Sequence, residues 1–112
     1  MKIVDRKMFL AMPAGTVYAK YAPCVFEGLC VKEDTLPNGN DWFYVSLSAE
    51  AFRAHDSGDW AHLLYLSEET GKELVMDFNI QSRDGCFEDD QLFAVFSKPD
   101  VAQLIERLRR CL

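Results

Sequence analysis

The stretch Val25–Leu47, VFEGLCVKEDTLPNGNDWFYVSL, decides how this chain is read. Two runs rich in aromatic and β-branched residues, Val25 to Lys32 and Asp41 to Leu47, flank Pro37 and the pair Asn38-Gly39. Asn-Gly readily adopts the positive φ angles of a tight hairpin turn, so the runs read as neighbouring antiparallel strands. In the second run Phe43, Val45 and Leu47 alternate with Trp42 and Tyr44, and the first set is assigned to the core. Trp42 and Tyr44 then share the opposite face. Those rings either stand uncovered as anchors for a partner or are core beneath a helix.

The flanking segments extend the same pattern. Towards the N-terminus, Thr16 to Ala22 alternates as a strand, and Asp5 is placed to cap a short helix running to Met12, which Pro13 ends. Towards the C-terminus, Ser48 is placed to cap a helix through His55, and Asp59 another that stops at Gly71. Leu74, Met76, Phe78 and Ile80 alternate with Glu73, Val75, Asp77 and Asn79, the clearest strand signal in the chain. Leu92 to Phe96 reads as a buried strand. Ser97, Pro99 and Asp100 have the spacing of a capped helix start, and Val101, Leu104, Ile105 and Leu108 form one face of the helix that follows. Arg107, Arg109 and Arg110 fall in its last turns, where the helix dipole favours positive charge. The expectation is a single α+β domain over residues 1–112. It has a curled antiparallel sheet of about five strands and three or four helices, one of them C-terminal.

With 112 residues, 49% hydrophobic and 27% charged, the chain can bury a core without metal or disulfide staples. The net charge of −6 is unevenly spread. Residues 1–26 carry +3, residues 27–90 carry −11, and residues 91–112 carry +2. An acidic middle of that size repels phosphate backbones and attracts basic surfaces, so direct nucleic-acid binding is not expected. The N-terminus lacks the pattern of a signal peptide, and no apolar run approaches the ~20 residues of a membrane span. Cytoplasmic residence with reduced thiols is expected, and no membrane association.

Motifs for chemistry are sparse. Cys24, Cys30, Cys86 and Cys111 are not spaced as the close pairs of a structural zinc site, so no metal is assigned. Cys24 or Cys86, with His55 or His62 as base, is the one nucleophile arrangement to consider, and no local signature accompanies it. Glu88, Asp89 and Asp90 lack the alternating oxygens of a calcium loop. The glycines fall singly at turns rather than in a phosphate-binding loop, so no cofactor is assigned. The candidate site is therefore a partner-binding surface: Glu33, Asp34, Asp41, Trp42, Tyr44, Glu88, Asp89 and Asp90.

Asp5-Arg6-Lys7, Phe9-Leu10-Ala11, Pro13-Ala14-Gly15-Thr16 and Arg83-Asp84-Gly85-Cys86-Phe87 resemble segments of small uncharacterised proteins encoded by bacteriophages and prophages. The resemblance covers a minority of the chain and brings no catalytic residues. It implies a viral accessory protein working in a bacterial cytoplasm. The functional expectation is a non-catalytic module whose acidic surface engages a basic host or viral protein. The alternatives are a small thiol enzyme and a structural or assembly protein.

Overall fold

The computed structural model describes residues 1–85 and 87–112. In chain order the elements are β1 (Lys2–Val4), α1 (Arg6–Leu10), β2 (Val17–Ala22), β3 (Val25–Phe26), β4 (Cys30–Thr35), β5 (Trp42–Ser46), α2 (Ser57–Thr70), β6 (Gln81–Arg83), β7 (Leu92–Val95) and α3 (Lys98–Arg109). The fold is α+β. Six strands form an open antiparallel path, β1-β7-β2-β4-β5-β6, and β3 pairs with β2 beside it.

Local signals set many of these boundaries. The Asp5 carboxylate accepts the Met8 amide and starts α1. Ser97 and Asp100 form a reciprocal capping box at the start of α3. Gly71 closes α2 in the left-handed conformation, at φ 72°. The Asn38-Gly39 turn joins β4 to β5, with the Gly39 amide donating to the Leu36 carbonyl at 2.8 Å. The β2–β3 turn places Cys24 at φ 66°, a conformation that costs a residue with a Cβ about 1–2 kcal/mol. Cys24→Gly is accordingly expected to raise the unfolding free energy by up to about 1 kcal/mol, read from the urea midpoint.

The core forms on the Trp42 face of the sheet. Phe9 of α1 stacks on Phe93 of β7 with ring centroids 3.9 Å apart, and Trp42 and Tyr18 meet both rings at steep angles. The Trp42 indole N–H donates to the Tyr18 hydroxyl at 3.0 Å, which satisfies a polar group deep in this cluster. Val4 and Val95 complete the buried cluster, and Tyr44 packs partly against it. Trp42 is 0% exposed, so the expectation of an uncovered aromatic face fails at this residue and α1 is the helix that lies over it. Val45 is buried on the opposite face, so β5 has cover on both sides.

Three further expectations need correction. About five strands become seven: β1 and β6 are only three residues long and carry too little pattern to register, the expected strand over residues 25–32 is divided into β3 and β4, and one expected strand does not form. Residues 73–80 form no strand. Met76 makes a lone bridge to Phe52, and the Asp77 amide donates to the Ala51 carbonyl. Residues 48–55 form no helix, and α2 begins earlier than expected, capped by Asp56.

Candidate functional site

Each sequence-derived candidate has a definite place. Asp41 is 0% exposed. Its carboxylate accepts the Trp42 amide at 2.8 Å, the Gly85 amide at 3.2 Å and the Arg83 Nε–H. Burial alone would push its pKa up. The Arg83 contact and the two amides outweigh that and leave it below the usual carboxylate range. Asp41 is an internal tie between β5 and the segment after β6, which removes it, like Trp42, from any docking surface.

Glu33 is half-buried and Asp34 exposed on β4, directly after the buried Lys32. Glu88, Asp89 and Asp90 are exposed in the loop before β7. Asp89 lines a hollow with Thr35 and Asn40, so this loop meets the turn end of the β4–β5 hairpin. Tyr44 is half-buried, and its hydroxyl pKa is raised, first by burial and then by Cys30 and Asp84 nearby.

The structure brings together a different set. Beyond β5, residues 47–56 fold back as an irregular loop, and Ala51 and Phe52 are buried beneath it. Trp60, in the first turns of α2, stacks almost flat on Phe52 at 5.3 Å and 11°, and its indole N–H donates to the Glu50 carbonyl at 3.4 Å. Between this loop, α2 and the β6 edge lies an open cleft of about 370 Å³. Tyr44, Phe52, Trp60 and Ile80 supply its apolar walls, and Glu50, Asp56 and Asp77 its charge. Among the described residues, no lysine, arginine or histidine lines it. Trp60 remains 36% exposed.

The three carboxylates are held in place by neighbours. Glu50 accepts the Ser46 hydroxyl at 2.8 Å, Asp56 accepts the Asp59 amide as the cap of α2, and Asp77 faces Arg53 at 3.5 Å across an exposed ion pair. Side chains fixed this way lose little freedom when a ligand arrives. An aromatic wall beside carboxylates suits a cation: the ring face attracts positive charge, and the acids supply the partners. Tyr44 is the one residue of the cleft that sequence reasoning had singled out. Trp60 escaped notice because its relation to Glu50, Asp56 and Asp77 depends on how the loop folds back.

Comparison with known protein families, characterised proteins and solved structures returns no match. Among the described residues, no three His, Cys, Asp or Glu side chains gather to hold a metal ion, and no helix is long and apolar enough to cross a membrane.

Thiol chemistry finds little support in the described geometry. Cys86 lies outside the described residues. Cys24 is exposed in the β2–β3 turn, and among the described residues no hydrogen bond joins it to His55 or His62. Burial and the Glu50 carboxylate push the Cys30 thiol up to about 11. In a thiol–disulfide exchange assay at pH 7–8, Cys30 is expected to react far more slowly than Cys24, read residue by residue by mass spectrometry. Equal rates would contradict this placement.

Proposed function

We propose that the protein is a non-catalytic binding module whose acidic surface engages a basic protein, with the cleft beside Trp60 as the pocket for a lysine or arginine side chain. The viral resemblance makes a phage accessory protein the biological setting. The observation that carries the reading is the composition of the cleft: three carboxylates, of which Asp77 already faces Arg53 from outside the lining, an exposed indole and, among the described residues, no basic side chain in the lining. The −11 spread over residues 27–90 supports it by raising the encounter rate with a positive surface at low ionic strength. An inhibitor that occupies a nucleic-acid channel by imitating phosphate charge is one concrete form.

Fluorescence titration with an arginine-rich peptide tests the reading. Binding is expected at low salt and is expected to weaken as salt screens the charges. Asp56→Asn with Asp77→Asn, which keeps a side-chain oxygen at the helix cap, is expected to weaken binding about tenfold or more. Unchanged affinity in the double variant would contradict the cleft as the site.

A second reading has its own observation. Leu104, Ile105 and Leu108 of α3 are 39%, 52% and 58% exposed, and α3 has no buried residue. An apolar helix face left in water favours an assembly role. Concentration-dependent oligomers in light scattering would support that role, and a constant monomer mass would remove its basis.

A further inference from the structure

At the opposite end of the β4–β5 hairpin from the cleft lies a guanidinium without a full set of acceptors. Arg6 is 4% exposed, and its Nη2 donates to the Asn40 carbonyl at 2.6 Å. Its Nε and Nη1 are buried and, among the described residues, meet no acceptor. Leaving a buried, charged donor unsatisfied is costly, and such a group ordinarily has a partner. The guanidinium sits 5.4 Å from the centroid of the Trp42 ring, whose face offers attraction but no acceptor oxygen.

Arg6 borders an open hollow of about 550 Å³. Lys7 adds a second positive charge at its wall, and Leu10 and Ala11 give it an apolar side. Thr35, also in the wall, accepts a hydrogen bond from the buried Lys32 ammonium at 2.8 Å. Arg6 and Lys7 therefore set two cations on this hollow, against the Asp89 carboxylate among its described lining residues.

We propose that this hollow binds the carboxylate of an organic acid through Arg6, whose guanidinium turns from its buried place over Trp42 to meet it, with the acid's apolar body against Leu10 and Ala11. A planar guanidinium matches a carboxylate in shape and charge. The volume exceeds what a bare ion fills, which favours an anionic group on a larger apolar molecule. Asp89 at the rim and the overall −6 oppose a dianionic phosphate more strongly than a singly charged carboxylate.

The test is a titration with hexanoate, with chloride and inorganic phosphate as controls. It follows the Arg6 Nε–H resonance by NMR and the Trp42 fluorescence in a Trp60→Phe background. Hexanoate is expected to shift both signals saturably, and phosphate and chloride to do so far less. Arg6→Gln is expected to weaken hexanoate binding at least about tenfold. Asp89→Asn, a surface change that leaves the fold intact, is expected to tighten it by removing a like charge. The proposal is overturned if Arg6 Nε–H does not respond, if chloride or phosphate matches hexanoate so that an adventitious ion only is bound, or if folded Arg6→Gln binds unchanged. Should Arg6→Gln not fold, weaker or unchanged binding in Asp89→Asn overturns it equally. Because this hollow is separate from the acidic cleft, either site can fail without the other.

Discussion

Phe9→Ala is expected to cost about 3–5 kcal/mol of unfolding free energy, a large share of what a domain of this size possesses. Phe9 is fully buried, and its ring touches Phe93, Trp42 and Tyr18, which come from three different strands. Helix α1 has five residues, too few to be stable on hydrogen bonds alone, so its position depends on the side chains it docks on the cluster, of which Phe9 is the most deeply buried. Truncation leaves a cavity between the sheet and the helix and uncovers the Trp42 ring. Urea unfolding followed by circular dichroism and by tryptophan fluorescence measures the loss. A cost below about 1 kcal/mol would mean that the aromatic cluster is not the centre of the fold.

Asp41→Ala is expected to be the second most damaging change, at about 2–3 kcal/mol. It strands the Trp42 and Gly85 amides without acceptors. The Arg83 guanidinium is half exposed and can return to water, which keeps the cost at the lower end of values for broken buried pairs. The same contacts predict a pH dependence. The Asp41 pKa is lower in the folded protein than the value of about 3.9 in an unfolded chain, so its contribution is fully present above that value. It is lost as pH falls through the folded pKa. Unfolding curves of wild type and Asp41→Asn should therefore differ at neutral pH and converge in acid. Parallel curves from neutral to acid would contradict the assigned role of Asp41.

The parts of the fold legible in the sequence are those governed by short-range chemistry. Asp5, the Ser97–Asp100 box, Gly71 and the Asn38-Gly39 turn act within a few residues of themselves, and each lies where local rules put it. Strand alternation separated Trp42 and Tyr44 from Phe43 and Val45 correctly. It could not say which face α1 would cover, because that depends on Phe9 reaching β7, far along the chain. The alternation from Leu74 to Ile80 misled for a related reason: its pairing with residues 51–53 stops at one bridge, and periodicity without a longer partner makes no strand. β1 went unseen because its pairing with β7 joins the two ends of the chain.

The candidate site was less legible than the fold. The acidity of residues 27–90 was plain, but net charge by segment does not show which carboxylates share a hollow. Asp41 turned inward to Arg83, whereas Glu50, Asp56 and Asp77 met around Trp60. Arg6 carried no sequence signal beyond its charge, since its importance lies in a missing acceptor.

Reception of a cationic side chain by the Trp60 cleft is the central claim. The decisive measurement follows the Trp60 indole N–H by NMR while an arginine-rich peptide, and then its glutamate-substituted counterpart, is added at low salt. The indole resonance should move and saturate with the arginine peptide, stay still with the glutamate peptide, and return toward its starting position as salt is raised. A stationary indole signal, or shifts confined to residues 88–90 while Trp60 stays unmoved, would contradict it.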